Sequence, residues 1–571
     1  MNMRNRSGER GMALLALVAV LAAGSTWYLV SRLNNESSLA AAVRKQRDAA
    51  VLNRAKQALI GYVAAQAANS GEANPGALPC PEAGGYFDNP SQEGQTASSC
   101  ALPKVGRFPW RTIGTEKLID SAGEPLWYVV SAGWAVPSAG ANTNINSSTL
   151  GQITVDGAPN AAVALIIAPG AAFNVPACGA NAAISQARST VGSPDWRNYL
   201  ECENATFPTP DAIFATRGTS GVFNDQVVTV TAADLLPGIE AAIAKRVERD
   251  IVPALNGVYT PAVYGFGGAN PVYPYAASFG APNPGSANTY QGSAGNYQGL
   301  LPFNLTQGCN PATDVRCTTT MLVFSKAGAD IQTGGGGYIR TQSTCSWQAT
   351  EYVCMGEYFM PTISVTLTIN VTNVAMGLRT FDTSKVSFVA HDNCACGGIG
   401  TQTVPFTSAV ALNANGSATV TISGGPVPDI TAAMWGTYAN YEIRIDRSAF
   451  GDHSLLDTAN ATTGWFARNE WFRQTYYAVA AGHTAGTLPP SCTTGTNCLS
   501  VLNITPTSAQ RAILILAGRS VNGNARPSSA LTDYLESGNA TGAFTRNTVS
   551  AGATLPVAQR FNDRIVVVGS N

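Results

Sequence analysis

From Met12 to Ser31 the chain carries no charged residue, and from Glu36 to Ala68 it has no proline and one glycine, Gly61. Few folds accommodate such a stretch. An unbroken, Ala-rich run with Val51, Ala55, Ala58/Leu59 and Tyr62/Val63 at helical spacing reads as one helix over 12–68. At 1.5 Å per residue it is about 85 Å long. Its second half is amphipathic. Its first half is 20 uncharged residues, against roughly 7–15 for the apolar core of a secretory signal, and it is long enough to span a bilayer. Arg4, Arg6 and Arg10 precede it and predict a cytoplasmic leader with the remainder exported. Residues 12–31 are therefore expected to be transmembrane.

The segment Arg10-Gly11-Met12-Ala13-Leu14-Leu15, with the long helix behind it, resembles the type IV pilin and type II secretion pseudopilin superfamily. The resemblance covers about the first 70 residues. It implies cleavage by a prepilin peptidase after Gly11, methylation of Met12, residence in the inner membrane before assembly, and packing with other pilin or pseudopilin subunits through the helix. The fifth mature position, usually Glu in that family, is Ala16 here. That Glu neutralises the N-terminal amine of the adjacent subunit, and an ammonium buried without a partner is costly. A subunit with nothing above it meets no such amine. The resemblance then implies a large minor subunit at the tip of a pilus or pseudopilus, priming assembly or mediating adhesion. The alternative is an uncleaved anchor carrying a helical stalk, which would make the chain a membrane-anchored envelope adhesin outside any filament.

A net charge of −1 over 571 residues offers nucleic acid no electrostatic attraction. Only 12% of residues are charged, about half the usual share, as in secreted β-rich proteins. The twelve cysteines fall mostly in near neighbours: Cys80/Cys100, Cys178/Cys202, Cys309/Cys317, Cys345/Cys354, Cys394/Cys396 and Cys492/Cys498. Local disulfides in an oxidising compartment, the periplasm or the cell surface, are the expected outcome.

The globular part repeats itself. "WYVVSAG" (Trp127–Gly133) matches "YYAVAAG" (Tyr476–Gly482), "YLECENAT" matches "YLESGNAT", and "FNDQVVTV" matches "FNDRIVVV". Leu165 in "AVALIIAPG" stands 37 residues after Tyr128, as Leu514 in "RAILILAGR" stands 37 after Tyr477. The Asn-Asp pairs, Asn224/Asp225 and Asn562/Asp563, and also Asn204 and Asn539, read as turn residues opening strands. "TAADLLPGIEAAIAKRVERDIVPAL" reads as a helix with capping-box spacing at Thr231 and Asp234 and apolar residues at Leu235, Ile239, Ile243, Val247 and Ile251.

The stretch 251–313 carries no charged residue and holds Tyr259, Tyr264, Tyr273 and Tyr275. Rings on uncharged loops suit a surface or carbohydrate ligand; local packing of the same tyrosines is the competing reading. "ISVTLTINVTNV" alternates strictly and begins a β-rich section with "KVSFVA", "SATVTISG" and "YEIRIDR".

No catalytic constellation stands out. The three histidines are His391, His453 and His483, and "HDNCACGG" lacks the spacing of a zinc site. No cofactor, metal or enzymatic activity is expected. The expected fold class is α+β: a long N-terminal transmembrane-plus-amphipathic helix and two repeated small modules flanking an inserted, sandwich-like β domain. The boundaries are 1–11 leader, 12–68 helix, 69–254 first unit, 255–460 insert and 461–571 second module.

Overall fold

The computed structural model describes residues 7–97, 100, 105–135, 144–175, 184–188, 194–206, 213–258 except 217, 219 and 221, 273–279 except 274, and 295–301. It also describes the strands and short runs of 317–446 and most of 460–570. The chain forms two compact units. The first comprises Met1–Tyr62, Leu78–Ala141 and Leu150–Asp234; the second comprises Val63–Ala77, Asn142–Thr149 and Leu235–Asn571.

One helix runs unbroken from Ser7 to Ala68. Within the first unit its stripe Leu52, Ala55 and Leu59 is buried, at the three- and four-residue steps that keep side chains on one face. Each buried leucine contributes roughly 1.5–3 kcal/mol. The sheet of this unit has the antiparallel order Val105–Arg107, Trp127–Val130, Ala164–Ala168, Gln226–Val230. Polar ties fix the helix. Asp48 accepts from the Ser121 backbone N–H at 2.6 Å, the Ser121 hydroxyl at 2.8 Å and the Gln226 amide at 2.8 Å. Lys56 donates to the Thr229 carbonyl at 3.0 Å and pairs with Asp234 at 2.9 Å.

The second unit repeats this plan. Its sheet has the order Gln298–Leu300, Thr475–Val479, Gln510–Leu516, Arg564–Ser570. Its helix is Ala232–Arg246, continued by a π turn at Val247–Ile251 and a last segment, Val252–Val258. The expected capping box is present: the Thr231 N–H donates to Asp234 at 2.8 Å and the Asp234 N–H to the Thr231 hydroxyl at 3.2 Å. Leu235, Ile239, Ile243, Val247 and Ile251 are all buried. Asn256 donates to the Val568 carbonyl at 2.7 Å, tying this helix to its last strand. Arg246, buried under Trp465 with its guanidinium 4.2 Å from the ring centroid, reaches the Ala67 and Glu72 carbonyls; Arg249 reaches Ala68. Cations belong at such a C-terminus, where helix carbonyls lack partners.

The duplication is more extensive than the matching words in the sequence. Val105 pairs with Val129, and Gln298 pairs with Ala478 at the equivalent place, so Gln298–Leu300 is the first strand of the second module. A short parallel pair also recurs, Val155 beside Phe214 and Val501 beside Phe544. The equal spacing expected for Leu165 and Leu514 does not survive. Tyr128 faces Ile166 whereas Tyr477 faces Leu514, so the equivalent residue is Ile166. One residue of loop length differs, and the pairing register overrides the count.

Two parts of the expected architecture need correction. The β-rich section does not sit between the two modules. It interrupts the second one, after the strand ending at Leu300 and before Thr475. It consists of two antiparallel sheets, Cys317–Lys326, Ile363–Val371, Ala418–Val427, Phe406–Leu412 and Ile339–Gln348, Glu351–Tyr358, Ala439–Asp446, Val386–Asp392, Gly400–Gln402. The fold is thus mixed helix and sheet with several small sheets. The transmembrane expectation for 12–31 also fails: among the described residues, no helix is long and apolar enough to cross a membrane. Freedom from charge is not the same as apolarity. Gly24, Ser25 and Thr26 interrupt the run of large apolar side chains. The Ser25 and Thr26 hydroxyls turn back to the Ala22 carbonyl at 3.0 and 2.7 Å, and Arg32 donates to the Tyr28 hydroxyl at 3.1 Å.

Glu240 sits fully buried in the second unit, accepting from the Arg519 N–H at 2.7 Å, and burial pushes its carboxyl up to about 7. A carboxyl raised on folding binds its proton more tightly in the native state. Its contribution is therefore full below about pH 4.5 and falls as pH rises towards 7, by up to ~3 kcal/mol. Glu240→Gln keeps the acceptor and removes the titration. Thermal unfolding at pH 5 and pH 8 should show a smaller loss at the higher pH for the variant than for the parent.

Candidate functional sites: the exposed helix and the paired carboxylates

The first half of the long helix has an apolar surface that no described residue covers. Leu17, Val18, Val20, Leu21, Trp27, Leu29 and Val30 are all exposed, Trp27 at 74% and Val20 at 69%. Leu39 and Val43 continue the exposure to the point where Asp48 becomes buried. The helix thus divides at about residue 46 into a free portion and a seated one. Gly11 and Met12, the expected processing residues, lie in the early turns of this helix.

A second candidate emerges from the repeat. In the first unit Glu201 accepts the backbone N–H groups of Asn224 and Asp225, both at 3.0 Å, and the Gln186 amide at 2.8 Å. Asp225 in return accepts the Glu201 N–H and the Asn204 amide, both at 3.0 Å. In the second unit Glu536 accepts from Asn562 at 3.0 Å and Asp563 at 3.2 Å, while Asp563 accepts from Glu536 at 2.8 Å and Asn539 at 3.0 Å. Apart from the Gln186 amide, the two constellations use the same atoms. Asn204 and Asn539 each accept one further N–H, from Ala215 at 2.9 Å and Thr545 at 2.8 Å.

A pair of close carboxyls invites an acid–base reading. Burial first, and the neighbouring Glu201 second, push Asp225 well above the ordinary carboxylate range; burial and Glu536 do the same to Asp563. The raised aspartates favour the protonated form, and in each pair the aspartate's Oδ1 is buried with no hydrogen-bond partner among the described residues. Asn204, Asp225, Asn539 and Asp563 are at most 2% exposed, which keeps the pair from solvent and substrate. The arrangement latches the loop carrying Glu to the start of the last strand. The turn-residue reading of the Asn-Asp pairs was therefore incomplete, and Glu201 and Glu536 were missed. The signal was present: "YLExxNAT" and "FND" recur together, as residues in mutual contact should. Gly170 and Gly518 belong to the same device. A Cβ on Gly170 would lie 2.7 Å from the Asn224 side chain, and Gly518 closes on Asn562 in the same way.

Other expected sites are scattered. Tyr273 and Tyr275 are buried, the first donating to Asn256 at 3.0 Å and the second edge-on to Tyr297. Tyr259 and Tyr264 lie outside the described residues. Disulfides join Cys80–Cys100 and Cys492–Cys498, with Cα separations of 5.6 and 5.1 Å. Cys202 and Cys354 are also disulfide-bonded, and Cys345 stands directly opposite Cys354 in the ladder. The side chains of Cys178, Cys309, Cys317, Cys394 and Cys396, like that of His453, lie outside the described residues. His391 and Asp392 end a strand, and His483 is buried. Among the described residues no group of three or more His, Cys, Asp or Glu could hold a metal.

Removing Glu201 or Glu536 leaves two buried N–H groups without acceptors, at about 1–3 kcal/mol each. Glu201→Ala and Glu536→Ala should each lower thermal stability by several degrees. Asp225→Asn and Asp563→Asn, which mimic the protonated aspartate, should leave it unchanged or higher at pH 8. Comparison of the chain with protein-family models, curated proteins and solved structures finds no match in any of the three.

Proposed function

We propose that the protein is a minor pilin-like or pseudopilin-like subunit that joins a filament through its N-terminal helix and carries a large exported head. The observation that carries this reading is the free portion of the helix. A contiguous run of exposed apolar side chains on a rigid element marks an interaction surface, and parallel copies of the same helix would cover it through ridge-and-groove packing. The short basic leader, with Gly11 and Met12 at the entry to the helix, supports processing at that bond. Ala16 supports a place at the tip, where no neighbouring amine requires a carboxylate. Disulfides at Cys80–Cys100 and Cys492–Cys498 support an oxidising, exported location for the head. The head's part is to prime assembly or to adhere.

The N-terminal residue of protein recovered from cells tests the processing step. An N-methylated Met12 start is expected; a Met1 start in all recovered protein contradicts it. Leu21→Asp tests the assembly surface. Because Leu21 is exposed, the variant should keep the thermal transition of the head within about 1–2 °C, as surface substitutions do, while its recovery in sheared filament fractions falls at least tenfold. Unchanged recovery contradicts the assembly role of this face.

A further inference from the structure

The two modules differ at one place in a way that creates a cavity. In the second, the Ala277 N–H donates to the Leu300 carbonyl at 3.0 Å, Leu300 pairs with Tyr476, and Phe279 packs as a wedge against both Tyr476 and Tyr534, ring centroids 5.8 and 5.6 Å away, while those two rings touch each other at 5.7 Å. In the first, the Glu82 N–H donates to the Arg107 carbonyl at 3.0 Å and Arg107 pairs with Trp127. Trp127 lies against Tyr199 with centroids 5.0 Å apart. Counted from the residue that bonds the first strand, Phe279 stands two after Ala277 and Gly84 two after Glu82, and Gly84 lines the cleft. The wedge is missing, and a cleft of about 390 Å³ opens there, lined by Glu82, Gly84, Phe87, Arg107, Trp127 and Trp196 among others.

The substitutions lining the cleft are also chemical. An arginine and a glutamate stand where the other module has leucine and alanine. Arg107 is only 5% exposed, with its guanidinium carbon 3.2 Å from the Phe87 centroid. One of its hydrogen bonds goes to Tyr199. Its Nε and Nη1 have no acceptor among the described residues, nor has the Trp127 indole N–H. Buried donors left open are costly, and a cleft beside them is where an acceptor would come. Glu82 does not take that role: its Oε1 accepts the Gly94 N–H at 2.9 Å, and burial raises its carboxyl, which favours the neutral form.

We propose that this cleft binds a small aromatic carboxylate. The ring occupies the place that Phe279 fills in the second module, between aromatic walls, and the carboxylate pairs with Arg107. The class follows from the two differences: the missing wedge is a phenyl ring, and the added buried donor is a cation that prefers an anionic acceptor.

The test is titration of the full-length protein with 3-phenylpropionate, followed by calorimetry and tryptophan fluorescence. The uncharged 3-phenylpropanamide serves as the parallel ligand. Saturable binding of the acid is expected, at least tenfold weaker for the amide. Arg107→Leu and Gly84→Phe each install the residue of the sister module, so both should retain the parent's thermal transition. Arg107→Leu should abolish the preference for the acid, and Gly84→Phe should abolish binding of both ligands. No saturable binding by the parent protein, equal affinity for acid and amide, or full binding by a folded Gly84→Phe variant would each overturn the proposal.

Discussion

Everything in this fold depends on one act of burial performed twice: an apolar helix stripe closing one face of a four-stranded antiparallel sheet. An isolated small sheet leaves a hydrophobic face in water and is marginal alone. Leu52, Ala55 and Leu59 answer that need in the first unit, and Ile239, Ile243, Val247 and Ile251 in the second. The polar ties at each helix, Asp48 to Gln226 and Asn256 to Val568, fall on the last strand of the respective sheet. The apolar burial supplies the energy. The directional bonds select one rotation and one height of the helix.

The paired carboxylates solve a second problem of the same architecture. The last strand of each sheet is reached after a long excursion of short strands and turns, and its start has to be held. Glu201 and Asp225, or Glu536 and Asp563, do this by exchanging backbone N–H donors across the junction, with the aspartate raised towards its neutral form. A buried ion is expensive, and a buried neutral acid is much less so. Tolerance of large insertions follows. With the module closed by this latch and by the register of its strands, the loop after Leu300 can hold an entire β-rich section, because loop-closure cost grows only slowly with length.

Much of this was legible in the sequence, and the failures have physical causes. The long helix, the Thr231/Asp234 capping box, the alternation at Ile363–Val371 and the local disulfides at Cys80–Cys100 and Cys492–Cys498 are local signals, and local physics fixes them. The duplication was visible in four blocks, yet its first strand, Gln298–Leu300, has no resemblance in words to Val105–Arg107. Only the ladder makes them equivalent. The latch glutamates hid because nothing local distinguishes a buried Glu from a solvated one. The transmembrane reading rested on freedom from charge, and among the described residues no helix is long and apolar enough to cross a membrane. For Tyr273 and Tyr275 the sequence left a surface role and local packing both open, and both rings are buried, beside strands that only the tertiary pairing reveals.

The division of the first helix into a seated part and a free part carries the functional account. Hydrogen–deuterium exchange across that helix, in the isolated protein and in a sheared filament fraction, addresses it most directly. The account predicts slow exchange for 48–67 in both states. Residues 16–43 should exchange rapidly in the isolated protein and be strongly protected in the fraction. Equal exchange of 16–43 in the two states would contradict it.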